Sequence, residues 1–557
     1  MKETRYTIKA ISNKNDQTIN IKKDDIVVFL GSNNVGKSKT LKEIYDKISN
    51  EWFYNNYIIK DIVIKGQNEE NIFETITSHS KRTYGKNGGY DYSGFKFNIN
   101  DSKIQKRTSG RWEPVNYFYG FLPTDKRLEY HIEVPYSINN NKKSYISLEK
   151  LSNVFSSCFG NSLMPDIFSS QTTFRIGKEI EIKKGLTKYN EIAQFFTDEL
   201  QKIKAVEQQG DGVRAFVSIL TNLFISRYSA IFIDEPELFL HPPHATAMGE
   251  LISQITKGQQ VFISTHSSSL IKGLIAKNNS RLKFIRITRE LKDGVEINKF
   301  SILDNTQICN SISDPMLKHS NILDGIFAKR VILCESESDC KFYSNILSEI
   351  KTKKKLVKDE QFLYVSGKAK INKIASSLKS LNIPTICILD IDILENENMF
   401  KNILKTFNIE WSLIKKDYNI IKQSIENKIR DKLNKKEFTL KLEDIKSKNK
   451  SKYFSDQDIT TIKELLKMNS PWQQLKHLGK SYIPAGDSST SFNNIIKILN
   501  KNGIFIVENG ELENFDKTTP GHGVDWVNNV FEKYGNEITS NLKDATEFVE
   551  RWHDLYM

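Results

Sequence analysis

An acidic doublet at the end of an apolar run, Ala230-Ile-Phe-Ile-Asp234-Glu235-Pro-Glu237, is the first place where this sequence could do chemistry. Apolar residues running into carboxylates form the pattern of a buried parallel strand whose C-terminal end delivers acids to a crevice. Alone, the pattern equally fits a strand that ends in a solvated acidic turn. The deciding partner is Gly31-Ser-Asn-Asn-Val-Gly36-Lys37-Ser38, which follows the apolar run Ile26 to Leu30 and precedes the helical pattern Lys39 to Ile48. It matches G-x-x-x-x-G-K-[ST] between a strand and a helix, where backbone N–H groups and a helix N-terminus cradle phosphates. Gly31, Asn34, Gly36, Lys37, Ser38 and Lys39 are therefore candidate ATP contacts. Lys37 would reach the β- and γ-phosphates, Ser38 and Asp234 would hold Mg²⁺, and Glu235 would act as general base.

Two later stretches extend this site. Gly210-Asp-Gly212 precedes the apolar helix Phe216 to Phe224, making a second anion-receiving helix start without a lysine. Gln260-Val-Phe-Ile-Ser-Thr-His266 repeats the strand with a polar end, although a lone histidine is more often a satisfied structural residue. The four landmarks in this order resemble an ABC-type ATPase head. That resemblance implies that Gly210 and Gly212 complete the ATP site of an opposite subunit and that His266 contacts the γ-phosphate. The usual Ser-Gly-Gly-Gln core is replaced here by Gln209-Gly-Asp-Gly212.

A second set of acids follows. The strand-like run Lys329 to Cys334 ends in Glu335, and Asp339 comes four residues later, one turn into a helix, so the two carboxylates can face one point. A strand over Phe362 to Val365, a helix over Ile371 to Leu381 and the run Pro384 to Asp390-Ile-Asp392 continue the alternation. Strands alternating with helices imply a parallel sheet, along whose carboxyl edge Glu335, Asp390 and Asp392 would converge. Two carboxylates about 4 Å apart repel by roughly 4 kcal/mol at an effective dielectric of 20, so such a cluster calls for a cation. Mg²⁺, with Mn²⁺ as the alternative, suits oxygen ligands, and a pair of such ions can activate water for phosphodiester cleavage.

Head and acidic set together resemble the overcoming-lysogenization-defect (OLD) family of endonucleases, an ABC-type ATPase with an inserted dimerisation region fused to a C-terminal Toprim nuclease domain. The resemblance implies a late metal ligand from a Gly-x-Leu-Glu segment, carried over to Glu513 with Glu511 as the second choice, and a basic residue, Lys543, that steadies the scissile phosphate. Ser336 stands where many Toprim domains have glycine after the glutamate. The resemblance further implies nucleic acid as the partner, DNA in preference to RNA, a homodimer or higher homo-oligomer, and bacterial antiphage defence. The closing text from His522 to Trp552 leans toward a retron effector, whose partner would be a reverse transcriptase with its msDNA, over a Gabija-like one. The rival reading is a DNA-binding ATPase clamp similar to recombination mediators, with a degenerate Toprim domain. A topoisomerase would need a nucleophilic tyrosine that none of the 21 tyrosines advertises.

These sites need an α/β scaffold, and 557 residues suffice for about three or four domain-sized units. The expected order is an ATPase N-terminal part over 1–60, an insertion over 61–204 for dimerisation or lid formation, the ATPase C-terminal part over 205–325, and a Toprim domain over 326–557 with a helical, lysine-rich insert at about 395–480. Within the first insertion, Gly85, Gly88, Gly89 and Gly94 cluster, and Phe121 to Leu128 reads as a strand-to-turn or a nucleotide-sensing loop. Lys+Arg 81 against Asp+Glu 68 gives a net charge of +13, which favours a polyanionic partner, although a Lys-, Asn- and Ile-rich composition produces the same excess without one. The runs Lys428 to Lys436 and Lys446 to Lys452 are solvated helix faces or a nucleic-acid track. Five cysteines without paired spacing indicate neither a disulfide framework nor a zinc site. A reducing cytoplasm is the expected compartment, with no membrane partner, since no apolar run approaches the about 20 residues that span a bilayer.

Overall fold

The five-residue apolar runs of the sequence become strands buried at every position, because a parallel strand covered on both faces must be apolar along its whole length. Such are Ile26–Leu30, Ala230–Asp234 and Gln260–Ser264 in the first half, and Arg330–Cys334 in the second. The computed structural model describes residues 7–49, 57–65, 95–98, 103–108, 111–115, 119–122, 124, 142–166, 173–181, 188–225, 229–256, 258–276, 280–292, 295–303, 308, 322–355, 360–365, 367–428, 435–448, 453–455, 458–459, 461–462 and 470–554. Its chain divides into two units, Met1–Ser313 and Asp314–Met557. The glycines at 85, 88, 89 and 94, Cys309, and residues 429–434 and 449–452 of the lysine-rich runs lie outside the described residues.

In the first unit the strands that position the site are β1 Thr7–Asn13, β2 Thr18–Asn20, β3 Ile26–Leu30, β4 Ile59–Lys65, β5 Tyr119–Leu122, β6 Ala230–Asp234, β7 Gln260–Ser264, β8 Leu282–Lys292 and β9 Val295–Leu303; strands Phe95–Asn98, Lys103–Thr108, Arg111–Val115, Ser162–Asp166 and Thr173–Gly177 form two further small sheets. The main sheet has the order β9-β8-β3-β7-β6-β5 and is parallel except for the β8–β9 hairpin. β5 therefore belongs to the head sheet although it lies within the segment 61–204. Around the sheet stand α1 Lys37–Ser49, α2 Lys142–Phe159, α3 Asp211–Ile225, α4 Pro242–Ile255 and α5 Ser268–Ile275. A small antiparallel sheet, β2-β1-β4, is tied to the main one through the buried Gln260, whose side chain accepts from Ile8 N and donates to Ile8 O and Lys22 O, all at 2.8 Å. Glu43 of α1 accepts from the backbone N–H groups of Tyr57, Ile58 and Ile59 at 2.9–3.0 Å and so fixes α1 to β4.

The second unit is built on β10 Arg330–Cys334, β11 Glu360–Tyr364, β12 Thr385–Asp390 and β13 Ile504–Val507, all parallel in the order β11-β10-β12-β13. Its helices include α6 Glu337–Lys354, α7 Lys368–Ser380, α8 Glu397–Thr406, α9 Trp411–Glu426, α10 Pro471–Leu478, α11 Asp487–Lys501, α12 Val524–Tyr534 and α13 Lys543–Asp554. Trp526 and Trp552 of the closing segment are fully buried in the core with Phe342 and Tyr343. Among the described residues no helix is long and apolar enough to cross a membrane.

One buried ionic knot holds this unit together. Glu360 accepts from Arg330 at 2.8 Å and also pairs with Lys351, and Arg330 donates to His553 O at 2.9 Å, which joins β10, β11, α6 and α13. Burial pushes the Glu360 carboxyl up, and the two cations outweigh it and hold it below the ordinary value of 4.5. Its stabilising effect is thus fully present above that value and is lost as pH falls below it through the lower pKa of the folded state. Glu360→Gln leaves two buried cations without their anion and is expected to cost about 3–5 kcal/mol of unfolding free energy. Denaturant unfolding at neutral pH measures this; a loss below about 1 kcal/mol would show that the knot is dispensable.

Candidate functional site

Between the last residue of β3 and the first of α1 the chain must turn back within six residues. Gly31, Asn34 and Gly36 do so at φ of 149°, 62° and 95°. A side chain at Gly31 would place its Cβ 2.5 Å from Ile287 O, so the close approach to β8 demands glycine. Asn298 of β9 donates to Val35 O at 2.5 Å and pins the loop from the other side. Lys37 is only 5% exposed and folds back to donate to Gly31 O at 3.0 Å and Ser32 O at 2.8 Å. Burial lowers its pKa, while Glu235, Glu237 and Asp234 act in the opposite sense. Ser38 is exposed at the start of α1. The Lys39 ammonium lies 3.6 Å from the Tyr57 ring centre, a cation–π contact that directs it to that ring.

The carboxylates come from β6 and are fixed by β7. Asp234 accepts from Ser264 Oγ, and Glu235 N donates to Ser264 O at 2.9 Å. Glu235 has φ of 47°, a left-handed conformation that costs a non-glycine residue about 1–2 kcal/mol and that turns its side chain out of the strand register. Glu235 Oε1 meets His266 Nδ1 at 3.2 Å, and this hydrogen bond is the main cause that raises the imidazole pKa. Glu237 was not singled out in the sequence, yet it organises the second wall. Its Oε1 accepts from Thr265 Oγ1 at 2.6 Å and from His266 N at 3.0 Å, while the buried Oε2 has no hydrogen-bond partner among the described residues. Burial raises its pKa. Its signal was the third acid of the D-E-P-E run. Gly212, in the first turn of α3, packs on the turn that follows β6, where an added Cβ would meet Phe239 O at 2.5 Å; Gly210 faces open space. Lys37, Asp234, Glu235 and His266 thus share one crevice beside the glycine-containing loop.

In the second unit Glu335 follows β10, Asp390 ends β12, and Asp392 sits in the one-turn helix Ile391–Glu395. One carboxylate oxygen from each lies within 4.8 Å of the others. Glu335 Oε1 accepts from Asp390 N at 2.8 Å, which locks the two strand ends together. Burial, aided by Asp392 and Asp339, pushes the Glu335 carboxyl up to about 7 despite Lys368, and burial together with Glu335 drives Asp390 well up. Burial thus works against the charged forms of both carboxylates. An all-oxygen set at this spacing fits a hard divalent cation. The neighbouring Cys334 and Cys387 are fully buried, and burial pushes both thiols up, which makes them poor soft-metal ligands.

Asp339 stands apart from this group. Its Oδ2 accepts from Ser336 N and Ser336 Oγ, both at 2.9 Å, closing a capping box at the start of α6. The Ser336-x-x-Asp339 spacing is itself the sequence signature of that box. Glu513 adds its charge near Asp339, accepts from Gly523 N at 2.7 Å and lies with Oε1 2.7 Å from His522 Nδ1. Glu511 Oε2 lies 3.9 Å from Lys476 Nζ. Lys543 is exposed at the head of α13; the ammonium groups brought to the carboxylates are those of Lys368 and Lys476. Lys368, at the start of α7, pairs with Asp392 and lies 3.9 Å from Glu335, and Lys476 of α10 lies 3.1 Å from Asp390 and 3.6 Å from Asp392. Neither was singled out in the sequence, because nothing near them repeats or spaces with the acids.

Residues 91–272 match the family described as "AAA domain, putative AbiEii toxin, Type IV TA system", and residues 326–392 match "Overcoming lysogenization defect protein-like, TOPRIM domain". The second match spans Glu335, Asp339, Asp390 and Asp392. The chain is 28% identical over 171 residues to the Old nuclease of Escherichia phage P2, covering 30% of this chain and 28% of that protein. It is 23% identical over 268 residues to protein ea59 of Escherichia phage lambda, covering 44% of this chain and 46% of that protein. The matches thus span less than half the length of either relative. Solved Smc head domains from Pyrococcus furiosus and Thermotoga maritima align at 12% identity, covering 56% and 54% of this chain and 100% and 98% of theirs, with TM-scores of 0.33 and 0.27.

Proposed function

We propose, from the premise that this chain is an OLD-family ATPase–Toprim protein, that it is a divalent-metal-dependent endonuclease whose activity is gated by ATP at a composite site between two heads. The observation that carries the reading is the convergence of Glu335, Asp390 and Asp392 at the carboxyl edge of a four-stranded parallel sheet inside the Toprim match. These three would hold one ion, and Asp339 with Glu513 would hold the other. Bound there, Mg²⁺ or Mn²⁺ would supply charge stabilisation and an activated water for phosphodiester hydrolysis. Asp390 N keeps Glu335 oriented, and the capping box keeps Asp339 oriented, so the carboxylates need little reorganisation.

In the head, the loop amides and Lys37 would bind the phosphates of ATP, and Glu235, held by its strained backbone and by His266, would take the proton of the attacking water. Gly210 and Gly212 would close the site of a partner head, which makes a homodimer the smallest working assembly. The net charge of +13 favours a nucleic-acid substrate, which the OLD resemblance makes DNA in preference to RNA, and the likeness to phage proteins is in keeping with a role in conflict between phage and host. A non-catalytic DNA clamp is the competing reading, and its support is that Lys368 and Lys476 satisfy the carboxylates without a metal.

Incubation with supercoiled plasmid over a Mg²⁺ and Mn²⁺ series, with and without ATP, separates the two. Metal-dependent nicking or linearisation that responds to ATP is expected. The clamp predicts plasmid binding with no cutting under any metal. A strict monomer by mass measurement in both nucleotide states would remove the composite site and its gating.

A further inference from the structure

We propose that Lys476 is an internal counter-ion of the carboxylate cluster, which a divalent cation must displace before the site can work. The inference rests on the nuclease reading above and concerns how that site is regulated. Lys476 Nζ bridges three acids, at 3.1 Å from Asp390, 3.6 Å from Asp392 and 3.9 Å from Glu511. The first two belong to the group whose oxygens converge for a metal. A cation that draws on the same oxygens would stand beside the ammonium, and two positive charges cannot both occupy that point at low cost.

The side chain, and not its helix, is free to leave. The backbone of Lys476 is wedged against Gly510, where an added Cβ would collide with Lys476 O, and Asn514 Nδ2 donates to the same carbonyl at 3.3 Å. Only the lysine arm can swing, pivoting on a fixed root. The arm is 26% exposed, so a route outward to solvent exists. Lys368 differs: it pairs with Asp392 and approaches Glu335 from α7, so one ammonium remains on the cluster when the other leaves. Released from the carboxylates, the Lys476 ammonium stands at the mouth of the site, where the phosphate of an incoming strand would receive it. Metal binding would in this way convert a self-neutralised pocket into one that presents a cation to the substrate.

The test is Mn²⁺ binding by calorimetry on the full chain in metal-free buffer, with the thermal midpoint recorded in EDTA and in Mn²⁺. Lys476→Met should bind Mn²⁺ at least about tenfold more tightly than wild type. Its midpoint should be lower in EDTA, where the cluster has lost a counter-ion, and should recover in Mn²⁺. Lys476→Arg, which keeps the charge, should bind within about threefold of wild type and melt normally in EDTA. Equal Mn²⁺ affinity for wild type and Lys476→Met overturns the counter-ion role and leaves the metal site standing. Binding by Lys476→Met alone supports the role in its strongest form. Binding by neither protein at millimolar Mn²⁺ removes both the role and the metal-site reading.

Discussion

Glu335→Ala is expected to abolish nucleic-acid cleavage while ATP turnover continues, and Asp390→Ala should do the same. Each change removes a carboxylate whose oxygen lies within 4.8 Å of its neighbours' at the proposed metal position. Charge stabilisation by a bound ion is worth several kcal/mol in the transition state, and about 4 kcal/mol corresponds to roughly 10³-fold in rate. Glu335→Ala also frees Asp390 N from its 2.8 Å hydrogen bond, so both strand ends lose their mutual lock. ATP hydrolysis should survive because the P-loop and Glu235 belong to the other unit, Met1–Ser313. Plasmid cleavage and phosphate release measured on one preparation decide the matter. Cleavage that persists in both variants would mean that the Toprim assignment, or the purity of the protein, is at fault.

The second large effect is expected in the head. Glu235→Gln preserves the shape of the side chain and can still bond His266, but it removes the basic oxygen. ATP should bind as before and be hydrolysed about 10²–10⁴-fold more slowly, the usual contribution of a positioned general base. Lys37→Ala should abolish binding itself. It also strips the loop of the two bonds from Lys37 Nζ to Gly31 O and Ser32 O, so the phosphate cradle loses its internal brace together with its charge. Fluorescent-nucleotide binding and single-turnover hydrolysis separate the two defects. Wild-type hydrolysis by Glu235→Gln would pass the role of base to another group in the crevice, and Glu237, buried beside His266 with one oxygen unpartnered among the described residues, would be the first to examine.

The amino-acid sequence by itself determined those features in which spacing along one strand, loop or helix is the chemistry. The P-loop was legible because its glycines, lysine and serine act within one strand–loop–helix turn, and Glu235 and Asp390 because an apolar run ending in acids has few meanings in a parallel sheet. The alternation after Lys329 was enough to place Glu335 and Asp390 at a common edge. What lies far apart along the chain was decided only in three dimensions. β5, at Tyr119–Leu122, joined the head sheet through backbone pairing that its side-chain pattern does not encode. Asp339 went to the capping box because Ser336 is its nearest donor, and Glu513 turned to Gly523 and His522, so that neither sits in the group of three. Lys476 is 84–86 residues from Asp392 and Asp390 in sequence and reaches them only because α10 packs against the turn at Gly510. A lone lysine in a lysine-rich chain carries no local signature; its role is set by the buried carboxylates among which folding delivers it.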